Sequence, residues 1–187
     1  MIMNTGAISM RYARALLMFA NDAKVAAQVY REALTLRQSF RQVPELRTSL
    51  EKPVMTRDNK YRILVQAAGG ETITRQMQKF FDLVLNEKRE KYLTGINQAF
   101  IDLYRKQEKI RVGKLTTAVP IAPEEVERIR RIVVDSAGGT AEFATKVDPS
   151  IEGGFIFEIN TYRLNASVAD QMRRIKQQFI EKNRRIV

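Results

Sequence analysis

Residues 106–125 read KQEKIRVGKLTTAVPIAPEE, and within this stretch the spacing of the apolar residues changes. Upstream of it, apolar residues recur every three or four positions, which is the period of a helix packed on one face. From Ile110 to Val119 they alternate with polar residues as in a strand, and a phase slip at Gly113–Lys114 predicts a bulge. Pro123 and the acidic residues after it favour a new helix. We therefore expect the chain to change from all-helical to mixed structure near residue 110.

Before this change the sequence predicts six helices separated by short interruptions. The first runs from about Ser9, which can serve as its N-cap, to residue 20, and the second covers about 23–41. A short third helix follows Pro44, and the fourth extends from Thr56, a second N-cap, to the pair Gly69–Gly70. The fifth and sixth cover about 71–86 and 88–109. Together they predict an N-terminal six-helix bundle over residues 1–109.

After this change the pattern predicts the order β-α-β-β-α. Strand alternation returns at about 141–147 and 155–159. The last helix is expected to begin near Asn165 or Ser167, because Ser167-x-x-Asp170 resembles a capping box. The expected fold is therefore mainly α, with a small α/β domain over residues 110–187.

The composition argues against an enzyme. The chain has no histidine and no cysteine, so it lacks the commonest general base near neutral pH, the commonest metal ligand and the reactive thiol. Its acidic residues are mostly interspersed with lysine and arginine, as on a solvated helix face. We expect no catalytic residue, no cofactor and no metal site. The sequence also contains no apolar run long enough to cross a bilayer and no secretory signal.

The net charge of +11 leaves nucleic acid open as a partner. Phe155 and Phe157 could stack on RNA bases if their face of the sheet were open, although their alternation with Ile156 and Glu158 also fits core packing. A phosphate-binding loop is not indicated, because Gly153–Gly154 precedes its strand instead of following it. A basic RNA-binding protein is the alternative hypothesis.

The first and fifth helices predict a second kind of site. The first is lined by alanines and carries Tyr12 and Phe19, whereas the fifth has a broad apolar face that includes Phe80–Phe81 and Val84–Leu85. Such a pair can leave a hydrophobic groove for an amphipathic helix of a partner. The same residues could instead all face the core of the bundle, and the pattern leaves both interpretations open.

Several motifs along the whole chain are shared with one family. They are Arg11-Tyr12-Ala13-Arg14-Ala15-Leu16 with Phe19-Ala20, Leu50 and Pro53 with Lys60, Asn86-Glu87-Lys88-Arg89 with Leu93, Phe100 and Tyr104, Val112 with Thr117-Ala118, Asp148-Pro149-Ser150-Ile151-x-Gly153-Gly154-Phe155, and Asn165-Ala166-Ser167-Val168. With these motifs the sequence resembles the delta subunit of bacterial F-type ATP synthases, called the oligomycin-sensitivity-conferring protein in mitochondria. Asn165 stands where the family usually has Asp, and Ala122 where a capping Ser is usual. Asn caps a helix about as well as Asp, so the last helix should still form.

The resemblance implies a non-catalytic stator subunit that takes part in proton-driven ATP synthesis. It implies that the helical domain binds N-terminal helices of alpha subunits on the catalytic head, and that the C-terminal domain binds the C-terminal region of the peripheral-stalk b subunit. The complex would hold the chain at the cytoplasmic face of the bacterial inner membrane, with no nucleic acid involved.

The resemblance also makes the groove between the first and fifth helices the expected alpha-subunit site. The residues expected at this site are Tyr12, Ala15, Leu16, Phe19, Phe81 and Val84. The residues expected to contact the stalk are Gly153, Gly154, Phe155, Val168, Met172 and Ile175.

Overall fold

The computed structural model describes residues 5–128, 131, 140–159 and 162–184. The chain divides into two compact units, Met1–Gln107 and Glu108–Val187, with the boundary two residues before the position expected from the sequence. The described residues are mostly helical and include one small sheet, so the expectation of a mainly α fold is confirmed.

The N-terminal unit is built from α-helices joined by short turns. The helices are α1 (Thr5–Asp22), α2 (Ala26–Gln42), α3 (Glu45–Glu51), α4 (Arg57–Ala68), α5 (Arg75–Asn86) and α6 (Leu93–Gln107). Short 3-10 turns at Gly70–Thr72 and Glu90–Tyr92 precede α5 and α6. Threonine hydroxyls cap two of these helices: Thr56 accepts from the N–H of Asn59, as expected, and Thr74 from the N–H of Met77.

Three of the predicted helix boundaries were wrong. The fifth helix begins at Arg75 and not near residue 71, because a 3-10 turn at Gly70–Thr72 precedes its cap Thr74. The structure starts α1 at Thr5, and Ser9 lies inside the helix with its hydroxyl against Gly95 of α6 instead of capping. The sixth helix is shorter than predicted because Lys88 takes a left-handed φ of 52° and ends α5. The chain then passes through a 3-10 turn before α6, which at 15 residues is about 22 Å long.

One apolar core fills the N-terminal unit. Each of its five longer helices contributes buried side chains at helical spacing, including Ala13 and Leu16 on α1, Val29, Ala33 and Leu36 on α2, Leu64 and Ala68 on α4, Phe81 and Val84 on α5, and Ile96 and Phe100 on α6. The side chain of Asn97 donates to the carbonyl of Ala33 at 2.9 Å and links α6 to α2 within this core. No buried side-chain nitrogen or oxygen among the described residues lacks a hydrogen-bond partner.

The C-terminal unit contains a four-stranded sheet in the order β2-β1-β3-β4. Its strands are β1 (Ile110–Thr117), β2 (Thr140–Val147), β3 (Gly154–Ile159) and β4 (Tyr162–Ser167). β1 and β2 are parallel, and the remaining pairs are antiparallel. The connection between β1 and β2 includes a helix, α7, that the structure describes at 123–128 and 131. A 3-10 turn at Pro149–Ile151 precedes β3, and the last helix is α8 (Val168–Arg184).

β4 corrects the predicted order, which contained three strands. Its segment Tyr162–Ser167 does alternate, with Tyr162, Leu164 and Ala166 between polar residues, but it also carries Asn165 and Ser167, which favour a helix start and led the sequence analysis to the helix alone. Pairing with β3 over the whole segment, from Gly154 opposite Ser167 to Ile159 opposite Tyr162, makes it a strand. The alternation and the pairing with β3 therefore agree, and the strand was missed because it is short and leads directly into a helix.

The bulge predicted at Gly113–Lys114 is absent. β1 pairs with β2 without interruption from Ile110 to Thr117. The phase slip in the sequence arises because Val112 faces outward and is 41% exposed, whereas Leu115 faces inward, and Gly113 occupies the inward position between them without a side chain. The rings of Phe143 and Phe157 fill that space from the neighbouring strands, edge to face at 5.3 Å.

Candidate functional site: two partner-binding surfaces

The first candidate surface is the exposed junction of α1 with α5, where the sequence predicts a groove, called here the α1/α5 groove. On α1, Ala15 and Phe19 are exposed and Tyr12 is half-buried, whereas Leu16 is 3% exposed and belongs to the core. These four residues were expected to contact a partner. The structure leaves three of them within reach of a partner helix and places Leu16 beneath them.

The contribution of α5 to this groove differs from the expectation. Phe81 and Val84 are 0% exposed, so they support the groove from the core and offer no contact surface of their own. The flank of α5 that faces α1 is marked by Lys79, whose Nζ lies 5.9 Å from the centre of the Phe19 ring. Leu83, one turn further along, is 46% exposed.

Leu83 and Lys79 were missed because they lie on the side of α5 away from its apolar stripe. Sequence spacing identified the apolar face of the helix, which is the part that packs into the core. At 100° per residue Leu83 lies about 160° from Phe81, on the exposed side of the helix and next to Lys79. The spacing pattern therefore carried no signal that this side faces α1.

A buried carboxylate on α2 positions the start of α5. Glu32 is 7% exposed, and its two oxygens accept from the backbone N–H of Thr74 at 2.7 Å and from the Thr74 hydroxyl at 2.8 Å. The same hydroxyl accepts from the N–H of Met77 and so caps α5. Glu32 thereby ties the first turn of α5, one wall of the α1/α5 groove, to the core helix α2.

The second candidate surface lies on the C-terminal unit, around α8. Val168, Met172 and Ile175 follow one stripe of this helix and are 41%, 60% and 48% exposed. These three residues were expected to contact the peripheral stalk, and the structure leaves their side chains accessible. Among the described elements, α8 contacts β4 and the 3-10 turn before β3. The stripe is therefore an apolar helix face available to a partner, which will be called the α8 face.

The glycines expected at this surface shape the loop that holds α8. The carbonyl of Gly153 accepts from the N–H of Val168 at 3.0 Å, and a Cβ on Gly153 would lie 2.9 Å from the Val168 side chain. Gly154 has a φ of 70°, and a Cβ there would collide with the carbonyl of Ala166 on β4. Phe155 is half-buried beside a concavity of about 430 Å³ that also exposes Val119. The glycines thus act through close backbone packing.

Two turns of the same design flank this loop. The side-chain oxygen of Asn165 accepts from the N–H and the hydroxyl of Ser167, and that hydroxyl accepts from the N–H of Asp170 at the start of α8. Asn165 therefore supports the helix start as expected. Asp148 accepts in the same way from Ser150, at 3.2 and 2.6 Å. These bonds and one from Lys146 lower the pKa of Asp148 to about 2.

The described residues contain no group of three or more aspartate or glutamate side chains that could hold a metal ion. Phe157, considered above as a base-stacking residue, is buried in the sheet core. None of the described helices has a stretch that is long and apolar enough to span a bilayer.

Comparisons with known proteins identify the family. A family model described as ATP synthase delta (OSCP) subunit matches residues 8–179. The ATP synthase subunit delta of Phocaeicola vulgatus is 54% identical over 185 residues, which are 99% of this chain and 100% of that protein. The ATP synthase subunit delta of Bacteroides thetaiotaomicron is 47% identical over 186 residues, with the same two shares.

A solved structure shares the fold. A chain in the cryo-EM structure of the Toxoplasma gondii mitochondrial ATP synthase hexamer matches with a TM-score of 0.62 and 22% identity, covering 92% of this chain and 97% of its own length. The family match over nearly the whole sequence confirms the resemblance. The chain belongs to the ATP synthase delta (OSCP) subunit family, whose members are non-catalytic subunits of that complex.

Proposed function

We propose that this chain is the stator link of a bacterial rotary ATP synthase, joining the catalytic head to the peripheral stalk. Its relatives named as subunit delta align over their full length, which is the observation that carries the proposal. The link resists torque, so that the head stays fixed while the central rotor turns during proton-driven ATP synthesis. This task needs two binding surfaces, one for the head and one for the stalk, and each of the two units carries a different apolar surface.

The N-terminal unit is the grip on the head, and its six helices act as one bundle. N-terminal helices of ATP synthase alpha subunits dock in the α1/α5 groove. The exposed Ala15 leaves room for a helix backbone to approach, and Phe19 and Leu83 offer apolar contacts on either wall. Lys79 adds a cation beside them. An apolar contact of this kind suits a connection that must hold through each catalytic cycle.

The C-terminal unit is the grip on the peripheral stalk. The α8 face, with Val168, Met172 and Ile175, binds the C-terminal region of the b subunit, and the loop of Gly153, Gly154 and Phe155 borders this contact. The support is physical: a stripe of apolar side chains that stay between 41% and 60% exposed is a surface that a partner would cover. The hydroxyl of Ser167, which accepts from the N–H of Asp170, caps the start of this helix.

The complex holds the chain at the cytoplasmic face of the bacterial inner membrane as a peripheral subunit. No nucleic acid takes part, because membership of the family favours the stator function over the RNA-binding alternative. The salt dependence of binding distinguishes the stator hypothesis from the RNA-binding hypothesis experimentally. Binding to RNA falls steeply as salt rises, whereas an apolar groove contact tolerates salt. Co-purification of alpha and b subunits at moderate salt is expected, and recovery of RNA alone would contradict the proposal.

The head contact is tested by Ala15→Arg, with Ala27→Arg on the exposed side of α2 as the matched control. A guanidinium placed in an apolar groove is expected to weaken binding of an alpha-subunit N-terminal peptide at least about 100-fold, or about 2.7 kcal/mol. Isothermal titration calorimetry measures the affinity, and circular dichroism checks that both variants remain helical. Unchanged affinity for the Ala15 variant would remove the α1/α5 groove from the proposal.

The stalk contact is tested by Met172→Lys, with Gln177→Lys on the same helix as the control. The first change puts a charge into the α8 face, and the second puts it on the polar side of α8. We expect the b subunit to be lost from pull-downs with the Met172 variant and retained with the control. Equal recovery with both variants would mean that the stalk binds elsewhere.

A further inference from the structure

We propose that the N-terminal unit has a second docking groove, between α1 and α6, which binds an acidic amphipathic helix. This α1/α6 groove is a concavity of about 660 Å³ lined by residues that include Met10, Arg14, Ala99, Leu103 and Lys106. It is separate from the α1/α5 groove and goes beyond the function proposed above.

The groove exists because α1 and α6 run parallel and in register. At one end Ser9 lies against Gly95, where a Cβ on the glycine would be 2.8 Å from the serine Oγ. At the other end the side chains of Asn21 and Gln107 exchange hydrogen bonds of 3.0 and 3.3 Å. In each pair the two residues are 86 positions apart in the sequence, so the two helices run in the same direction and in register. Two parallel helices held at both ends leave a straight furrow along their outer side.

The two grooves lie on opposite flanks of α1. The buried stripe of this helix contains Ala13 and Leu16. At 100° per residue, Met10 and Arg14 project to one side of that stripe, whereas Ala15 and the other α1/α5 residues project to the other side. A helix seated in one groove therefore leaves the other groove free.

The lining favours a helix with an apolar face. Met10 is 37% exposed, and Ala99 and Leu103 are half-buried, so together they form an apolar floor that remains accessible. Gly6 lies at the same end of the groove as Gly95, and the absence of side chains there permits close approach of a backbone. The segment from Gly95 to Lys106 is about 16 Å long, which corresponds to about three turns of a partner helix.

The charges around the floor favour an acidic partner. Arg14 and Lys106 are exposed and make no ion pair with any described residue. Asp102 is the acidic residue of the lining, and its carboxylate already accepts from the side chain of Gln98 at 2.9 Å. The N-termini of the two parallel helices lie together at the Gly6 end and add positive potential there. A partner helix with carboxylates along both edges of its apolar face complements this pattern.

The probe for this groove is a fluorescein-labelled synthetic helix of about 14 residues, with Leu and Ala on one face and Glu on the other. We expect it to bind the full chain, and the double variant Arg14→Glu/Lys106→Glu to bind it at least about tenfold more weakly. A second probe with Lys in place of Glu should regain affinity for that double variant. Fluorescence anisotropy measures both affinities.

The matched control is Arg11→Glu/Lys52→Glu, which changes the net charge equally at exposed residues outside the groove. Its affinity for the acidic probe should stay within about twofold of the unmodified chain. An equal loss in this control would show general charge attraction and overturn the proposal. Absence of binding to the unmodified chain at about 1 mM would also overturn it.

Two readouts locate the bound probe. The amide signals of Gly6 and Gly95 should shift in a glycine-labelled NMR spectrum, while those of Gly69 and Gly113 should not. Ala15→Arg should leave the affinity for the acidic probe unchanged, and loss of affinity in this variant would assign the probe to the α1/α5 groove and overturn the inference. Because the alpha-subunit peptide is a different ligand, failure of this proposal leaves the proposed function standing.

Discussion

The two units of the chain bury their apolar side chains to very different extents. Of the twelve largest fully buried side chains among the described residues, eleven lie in the N-terminal unit and one, Leu115, in the C-terminal unit. Exposed apolar side chains occur in both units: Met18 and Val54 in the N-terminal unit, and Val119, Leu164 and Met172 in the C-terminal unit, are more than half exposed. The difference lies in the core, since among the described residues the N-terminal unit has by far the larger number of fully buried apolar side chains. A partner that covers the α8 face would add apolar burial to the unit with the smaller described core.

The largest expected effect comes from removing a core side chain in the N-terminal unit. Phe81→Ala deletes a ring that is 0% exposed and should lower the free energy of unfolding of this unit by about 3–5 kcal/mol. Met172→Ala on α8, which is 60% exposed, should change it by less than about 0.5 kcal/mol. Urea unfolding followed by circular dichroism measures both. Similar losses would break the contrast between the two units.

The second-largest effect is expected from replacing a buried carboxylate in the same core. Glu32→Ala leaves the N–H and the hydroxyl of Thr74 without their acceptor and should cost about 2–3 kcal/mol. Glu32→Gln keeps one acceptor oxygen and should cost less. Hydrogen exchange at the first turn of α5 is expected to speed up more than exchange in α6. If α5 stays equally protected, Glu32 does not position the wall of the α1/α5 groove.

An overpacking change tests the C-terminal unit by itself. In Gly113→Ala the new Cβ would lie 2.7 Å from the Phe143 ring and 3.1 Å from the Phe157 ring. Moving these rings should cost about 1–3 kcal/mol. The urea midpoint of the C-terminal unit should fall while that of the N-terminal unit stays constant. A stable variant would show that this sheet core is looser than its aromatic packing indicates.

A small gain is expected where a helix of the N-terminal unit ends on a lysine. Lys24 has a φ of 57° after α1, a left-handed conformation that glycine adopts without strain. Lys24→Gly should stabilise the unit by about 0.5–1 kcal/mol. Lys52→Gly is the control, because Lys52 has a φ of −66° and gains nothing from glycine. Differential scanning calorimetry should show a higher Tm for the first variant alone.

The smallest effect concerns acid sensitivity of the C-terminal unit. Hydrogen bonds from Ser150 and Lys146 lower the pKa of Asp148 from 3.8 to about 2 in the folded chain. The carboxylate therefore stabilises the fold above its ordinary pKa, and this contribution is lost as the pH falls through about 2. Asp148→Asn keeps the acceptor oxygen and should flatten the pH dependence of unfolding in this range. A dependence as steep as that of the unmodified chain would assign the effect to other carboxyls.

Much of the fold could be predicted from local patterns. The change of period near Ile110 separated helical from mixed structure, and Thr56 and Ser167 identified two helix starts correctly. The prediction failed where contacts with residues far away in the sequence decide the environment of a residue. Ser9 reads as a cap from its neighbours and is buried because Gly95 faces it. Tyr162–Ser167 was not predicted as a strand, although its residues alternate, and pairing with β3 makes it one.

The candidate surfaces show the same division between what local spacing predicts and what contacts between distant residues decide. The sequence by itself determined that α1 and α5 are amphipathic, that α8 carries an apolar stripe, and which family the motifs resemble, because these depend on spacing along the chain. Tertiary structure alone decided which apolar side chains remain accessible. Phe81 and Phe19 both lie on amphipathic helices in the sequence pattern, yet Phe81 is enclosed by the core and Phe19 is exposed beside Lys79. Exposure depends on what packs against a side chain, and that packing is set by contacts between residues far apart in the sequence.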